Sequence, residues 1–540
     1  MKFIYSNKRE AQNYAQRSVA MGAHGMAASS QQLATLSGYK ILSKGGNAVD
    51  AAVSMLSTLS VVEPFSVGLG GDAFGLIYMA EDGDVIGLNG SGRAPGRADI
   101  STLGRMGLKA IPERGILSAT VPGALHGWYE AIDRYGTMEP RDLFEDAIYY
   151  GENGFPVTEV IAGEWKDCES LLASHEGSAK TYLINGKAPG PGSLFRNRDI
   201  AATYRVIADE GTEAFYSGDI CDKIIKFSDR EGGLFTRSDF EGHTSSWVKP
   251  LSTDYRGYTV FELPPNGQGV TALEMLNIME GFDIGGLGHN SPEFLHLLIE
   301  AKKLAFYDRD RFIADPRFSE VPVERLISKE YADRQRQNID PHRACHLIYS
   351  TFPQGSETVY VTAVDKDRNA ASFISSIFMP FGSGMVVDHT GIILHNRGYS
   401  FSMKEDHRNR IEPLKRPMHT IIPAMLFKEG RFLMSFGVMG GDMQPQGHVQ
   451  FLVNIIDFKM NIQEAVDAPR VRHLKGRKVY FEGGIPHETV SSLEKRGHES
   501  AGSDFSVNQV GGGQAIYLDP VQDILMGASD RRKDGLALGY

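Results

Sequence analysis

Thr358 opens a run of β-branched and aromatic residues, Thr358-Val359-Tyr360-Val361-Thr362-Ala363-Val364, directly after the short polar stretch Gly355-Ser356-Glu357. A threonine hydroxyl is a weak nucleophile unless a base lies beside it, and a free α-amine on the same residue is one such base. Cutting the bond between Glu357 and Thr358 would give Thr358 its own base. Taken alone, the residue reads as an ordinary strand-starting threonine. Other patterns carry less chemistry. Gly68-Leu69-Gly70-Gly71-Asp72 lacks the GxGxxG spacing and follows a helical pattern, where a dinucleotide loop needs a strand. His342-Arg343-Ala344-Cys345-His346 holds metal-ligand residue types without a partner cluster and reads as a solvated loop. HExxH, GxSxG and Walker patterns are absent. The sequence implies no metal and no cofactor.

The elements that would position Thr358 are visible around it. Asp365-Lys366-Asp367-Arg368-Asn369 is a turn cluster between strands over 358–364 and 370–377, a hairpin signal, with a composition shift at 353–357. Further strands are expected over 391–394, 420–427 and 432–438, with helices over 446–459 and 462–466. Near the start, helices over 31–42 and 47–62 are separated by Lys44-Gly45-Gly46, with Asn47 as N-cap. The second is apolar on several faces and should be buried between layers. Residues 63–72 read as a glycine-rich loop, followed by a hairpin of strands over 75–79 and 85–88. The middle, 125–345, reads as mainly helical, with helices over 125–134, 200–209 and 293–308.

Composition limits the classes available. The chain has 540 residues, 41% of them hydrophobic and 23% charged, as in a soluble globular protein with a large core. Its 56 basic and 67 acidic residues give a net charge of −11, which argues against nucleic acid as a partner. Glycine, at 60 residues, is the outlier and points to many tight turns or close backbone approaches. Three cysteines, Cys168, Cys221 and Cys345, make no disulfide framework. The first ten residues carry no apolar run of signal-peptide length, and no stretch reaches membrane-span length. A cytoplasmic protein without a membrane partner is the expectation.

The order of several blocks along the chain raises Thr358 above the ordinary reading. Ala27-Ala28-Ser29-Ser30, Gly45-Gly46-Asn47-Ala48-Val49-Asp50-Ala51-Ala52, the Gly68 to Asp72 block, Thr120-Val121-Pro122-Gly123, Ala214-Phe215-Tyr216-Ser217-Gly218 and Leu263-Pro264-Pro265-Asn266-Gly267-Gln268-Gly269 come first. Val364-Asp365-Lys366-Asp367, Phe381-Gly382-Ser383-Gly384, Lys415-Arg416-Pro417 and Gly440-Gly441 follow. In this order and spacing the chain resembles the γ-glutamyltransferase family of N-terminal-nucleophile hydrolases. The resemblance implies an α+β fold, a four-layer αββα sandwich with a largely helical elaboration. It also implies a proenzyme that cleaves itself before Thr358 into a large subunit, 1–357, and a small subunit, 358–540, intertwined as one domain. By the same resemblance Thr358 is the nucleophile, Ser376 stands where the family has a supporting threonine, and the Gly440 and Gly441 N–H groups hold the oxyanion.

The family's grip on an α-amino acid is rewritten. Where transferases of the family place an Asn, a Gln, an Asp and two serines, this chain has Phe378, Arg397, Ser400 and His419-Thr420. The family arginine position is Ser91, with Arg93 two residues before Pro95. Losing the Asp removes the partner of a substrate ammonium, and a guanidinium is suited to a carboxylate. Arg93, Arg397, Ser400, His419 and Thr420 are therefore the substrate-binding candidates. The variant pattern resembles the branch that includes cephalosporin acylases and oxamate amidohydrolase. It points to hydrolysis of a small acyl amide bearing a carboxylate. A γ-glutamyltransferase or glutathione hydrolase proper, and a non-maturing binding or scaffold protein, are the alternatives. Beyond the two subunits of one precursor, the sequence leaves a dimer of such pairs open.

Overall fold

The structure is a computed structural model that describes residues 14, 15, 17–347, 349, 357–504 and 509–540. The N-terminal ten residues and the 353–356 part of the composition shift lie outside the described residues.

Two seven-stranded sheets face one another. The first runs Leu536–Gly539, Met26–Ser29, Glu357–Val364, Ala370–Phe378, Asp72–Tyr78, Val85–Gly90 and Ser246–Val248. The second runs Ala20–Gly22, Ile524–Ser529, Gly513–Asp519, Arg431–Val438, Ala424–Lys428, Tyr258–Glu262 and Leu251–Tyr255. Met26, Phe74, Leu76, Tyr360, Ile374, Met425, Phe432 and Ile516 fill the space between them. Helices Gln32–Ser43, Ala48–Val62 and Ala124–Tyr135 cover the outer face of the first sheet, and Gly269–Glu280 and Met443–Ile456 that of the second. This is the expected αββα sandwich.

The helix Ala48–Val62 is buried along all 15 residues. Asn47 accepts from the Val49 and Asp50 N–H groups, and the Asp50 carboxylate accepts the Asn47 N–H in return, a capping box. The Asp365 carboxylate of the Thr358 hairpin turn accepts the Ala48 N–H at 3.1 Å, so one turn also ties this helix to the hairpin.

Several expectations are corrected. Residues 391–394 form no strand; only one isolated bridge, Val386 to Ile393, occurs there, because the Leu394 carbonyl turns to the Ser383 N–H. The mainly helical middle contains the strands Ser246–Val248, Leu251–Tyr255 and Tyr258–Glu262, and burial in the last of these alternates at the period of a half-buried sheet. The hairpin strand after the glycine-rich loop begins at Asp72, three residues earlier than expected. The strand expected from 420 begins at Ala424. All three cysteines are free. Among the described residues no helix is long and apolar enough to cross a membrane.

Candidate active site

Thr358 lies on the inner face of its sheet. Along its strand, Thr362 Oγ1 meets Ser435 Oγ of the facing strand, and the Tyr360 ring covers Gly437 so closely that a Cβ there would sit 2.4 Å from the ring. Side chains on one strand face repeat every two residues. Continuing that step brings Thr358 opposite the end of Arg431–Val438, where the chain turns through Met439, Gly440 and Gly441. The pairing of Thr358's strand with Ala370–Phe378 shifts register between Glu357 and Val359, so Thr358 sits at a bulge, a device that re-aims side chains. The buried Thr358 hydroxyl donates to Ser376 Oγ at 3.2 Å, and Ser376 Oγ also accepts the Phe378 N–H at 2.8 Å. The two hydroxyl residues singled out in the sequence are thus brought within hydrogen-bond distance.

Gly440 and Gly441 have φ of 115° and 59° and lead into the helix Met443–Ile456. Their own N–H groups donate to no acceptor among the described residues, although both glycines are buried. Paired unclaimed donors before a helix N-terminus favour negative charge. The turn is held from behind. Gln268 donates through Nε2 to the Gly441 carbonyl (3.0 Å) and the Thr420 carbonyl (2.7 Å), and its Oε1 accepts from Arg309 Nη1 at 2.8 Å. Arg309 also pairs with the Asp442 carboxylate at 2.6 Å. Arg309 and Asp442 lie 133 residues apart, so no local pattern exposes them. Gln268 belongs to the Leu263 to Gly269 block, and its full burial with bonds to the Thr420 and Gly441 carbonyls makes it the brace of the glycine turn.

Arg397 is fully buried but makes no ion pair among the described residues. Its Nη1 donates to Thr420 Oγ1 at 3.0 Å, while Nε and Nη2, the two donors of its lateral edge, have no partner. The guanidinium lies 3.8 Å over the Phe378 ring. Phe378 has φ of 77°, a conformation uncommon for a bulky residue, which turns its N–H onto Ser376 while its ring carries Arg397. Through Phe378 and Ser376 the cation is joined to Thr358, and through Thr420 and Gln268 to the glycine turn. Burial pulls the Arg397 guanidinium down to about 9, against Asp72 and Asp442, which favour its charge.

The other candidates are hydrogen-bonded to groups of the protein itself. Ser400 gives its hydroxyl to the Arg397 and Met418 carbonyls (2.6 and 3.0 Å), so it braces the turn that carries Arg397. His419 donates from Nε2 to Asp72 Oδ2 at 2.9 Å and accepts the Ile421 N–H on Nδ1, which makes it neutral; burial takes its pKa down to about 3. Burial alone would raise the Asp72 carboxyl, but the His395 and His419 rings beside it hold it well below the usual range. Arg93 does not join Arg397: its guanidinium turns onto Thr244. Ser400, Met418 and Arg309 form one wall of an open cleft of about 370 Å³, with Lys109, Tyr399, Lys404 and His407 around it.

Among the described residues one group of metal-ligand types is brought together, His296, Glu300 and His498. Cys345, from the motif read as solvated loop, reaches it through an N–H on Glu300 at 3.1 Å, so that loop is not isolated. The cluster is already closed as a hydrogen-bonded network. His296 Nδ1 faces His498 Nε2 at 2.8 Å, and Lys303 sits 2.7 Å from Glu300, where its ammonium repels a metal cation.

The four-layer αββα sandwich, with Thr358 and Ser376 hydrogen-bonded on its inner face, is the fold of the N-terminal-nucleophile hydrolases. The chain belongs to the gamma-glutamyltranspeptidase family, whose model matches residues 34–540. It is similar to the glutathione hydrolase-like YwrD proenzyme of Bacillus subtilis, 39% identical over 96% of this chain and 99% of that one. It is also similar to the oxamate amidohydrolase proenzyme of Klebsiella pneumoniae, 35% identical over 96% and 98% of the two chains. The crystal structure of cephalosporin acylase from Bacillus halodurans superposes with a TM-score of 0.92 at 40% identity, covering 98% of this chain and 99% of that chain.

Proposed function

We propose that the protein is made as a precursor, cleaves itself between Glu357 and Thr358, and then hydrolyses small acyl amides whose acyl group ends in a carboxylate. The observation that carries the substrate class is the lateral edge of Arg397. Nε and Nη2 are parallel donors, buried and unpaired, the fork a carboxylate fills with two charge-assisted bonds. Neighbouring carboxylates are engaged, Asp72 by His419 and the Gly92 N–H and Asp442 by Arg309, so none is offered to a substrate ammonium.

In the precursor, Thr358 has no free amine, and its proton passes toward Ser376 Oγ as its own Oγ1 attacks the Glu357 carbonyl. The peptide nitrogen takes up that proton and leaves as the new α-amine of Thr358, with Glu357 now held as an ester on Oγ1; water hydrolyses this ester, which releases the Glu357 carboxylate and restores the Thr358 hydroxyl. That amine then serves as general base in turnover. Thr358 Oγ1 attacks the substrate carbonyl, the Gly440 and Gly441 N–H groups receive the negative charge on its oxygen, and the amine departs toward the open cleft beside Arg309. Removing one such donor typically costs ~3 kcal/mol of barrier. Water attacks the acyl-enzyme and completes hydrolysis. Residues 1–357 and 358–540 stay together without a disulfide because both sheets interleave them: Met26–Ser29 pairs with Thr358's strand, and Tyr258–Glu262 with Ala424–Lys428.

The test is a panel of oxalyl, glutaryl and γ-glutamyl amides of one amine. Oxalyl or glutaryl amides are hydrolysed at least as fast as the γ-glutamyl amide, and faster than transfer to a dipeptide occurs. A γ-glutamyl preference above about tenfold, ~1.4 kcal/mol of differential transition-state binding, would return glutathione as the substrate.

A further inference from the structure

Near Asp72, on side chains to which the proposed reaction gives no task, cations gather with little to neutralise them. Arg93 and Arg416 both donate to the Thr244 carbonyl, at 3.2 and 2.8 Å. Arg416 adds Ser246 Oγ at 3.1 Å. Two guanidiniums are thereby fixed on one oxygen, and the Nε–H of each is buried without an acceptor. Arg317 is a third cation close enough to depress Arg93 and Arg416, after burial in both cases. The carboxylates nearby are spoken for. Asp315 takes Arg317 at 3.1 Å and the Arg416 N–H at 2.9 Å, Glu130 takes the Trp247 indole N–H at 2.8 Å, and Asp72 takes His419.

Against these arginines stands His243. It is buried, its ring stacks on Tyr216 at 5.2 Å and meets His126 edge-on at 5.3 Å, and neither ring nitrogen has a partner. Four orphaned polar atoms, Arg93 Nε, Arg416 Nε and both His243 nitrogens, thus fall in one cluster. Burial, with His126 and the two arginines beside it, pushes His243 well below its ordinary value, so the ring is neutral and one of its nitrogens donates. Buried polar groups in folded proteins are almost always paired, and three unpaired donors beside guanidiniums offset only by the already engaged Asp315 and Asp72 are what an anion satisfies. The half-buried Arg93 and the half-exposed Arg317 side chain leave the cluster open to solvent.

We propose that Arg93, Arg416 and His243 form a binding site for a small oxyanion, separate from the fork at Arg397 and sharing no side chain with it. The chemistry fits inorganic sulfate or phosphate and equally the carboxylate of a reaction product. Calorimetric titration of sodium sulfate into Arg397→Gln protein, at constant ionic strength, isolates the site because the other fork is gone. One sulfate binds per chain, and Arg93→Gln or His243→Phe added to that background weakens it by about tenfold or more, the worth of one charge-assisted contact. Arg93 is half-buried with Thr244 as its partner, so its replacement leaves the core intact. Competition with oxalate and glutarate names the source: displacement below the sulfate concentration identifies a reaction product, and no displacement an inorganic anion. Absence of saturable sulfate binding up to about 50 mM, or binding indifferent to Arg93→Gln, overturns the site. Sulfate binding does not depend on turnover, so this test and the amide panel fail independently.

Discussion

Replacing Arg397 by methionine should separate binding from stability. The side chain is fully buried, keeps one hydrogen bond to Thr420 and lies over Phe378 at 3.8 Å, yet its Nε and Nη2 are unpaired. For the free enzyme the terms oppose one another. Methionine forfeits a cation–π contact of about 0.5–2 kcal/mol and a hydrogen bond of about 1 kcal/mol, and relieves the several-kcal/mol penalty of a buried, unneutralised charge. Stability should stay within about 2 kcal/mol of wild type, in either direction. Activity should not. A charge-assisted contact to a substrate carboxylate is worth about 1.5–3 kcal/mol, so kcat/KM for an oxalyl or glutaryl amide should fall about ten- to a hundredfold. An uncharged acyl amide should lose little, and self-cleavage should proceed. The assay pairs urea unfolding with kcat/KM on charged and neutral acyl amides. A stability loss above about 3 kcal/mol together with an equal loss on both substrates would show Arg397 to be structural and refute the reasoning.

Three other perturbations test separate parts. Gly440→Ala forces a Cβ onto a backbone at φ 115° and to within 3.2 Å of Gly511 Cα, so it should displace the oxyanion donors and lower kcat about a hundredfold with a smaller change in KM; unchanged kcat would exclude the turn. Gln268→Leu leaves the Gly441 and Thr420 carbonyls and one Arg309 donor without their bonds, and should lower kcat about tenfold at a stability cost of about 1–3 kcal/mol; a stability loss without any kcat loss would make Gln268 a packing residue only. Burial depresses His419 and His498 to about 3 and His289 to about 4, so the unfolded chain takes up protons below pH ~6.5 that the folded chain refuses. Stability should fall as pH drops from about 6.5 toward 4, by about 1.4 kcal/mol per pH unit for each ring, and urea midpoints that stay flat over that window would contradict it.

What could be read from the sequence was what local chemistry specifies. Asn47 and Asp50 announce the helix they cap, and the β-branched run from Thr358 with its Asp-rich turn announces the hairpin. The strands Gly513–Asp519, Ile524–Ser529 and Leu536–Gly539 were not anticipated, since Gly513, Gly527 and Gly539 dilute their β signal. Residues 391–394 have a strand's composition but hold a tertiary position, next to Gly382 and Gly70, where pairing stops at the single Val386 to Ile393 bridge. In the candidate site, order along the chain is what singles out Thr358, Ser376 and Gly440-Gly441. The Arg397 fork, its Phe378 shelf and the Gln268 bridge depend on side-chain direction and burial, which no spacing in sequence reveals. Arg93, grouped with Arg397 by type, is sent elsewhere by the path of its own turn, whose Gly92 N–H is tied to Asp72 and whose Arg93 carbonyl accepts from Val121.

The account rests on Thr358 becoming an N-terminus. Intact-mass analysis of the purified wild type and of Thr358→Ala, with N-terminal sequencing of each species, tests this most directly. Wild type should give two polypeptides, residues 1–357 and 358–540, the second beginning with threonine, while Thr358→Ala remains one chain of 540 residues. Active wild-type protein that stays a single chain, or a cut at any bond other than Glu357–Thr358, would contradict it.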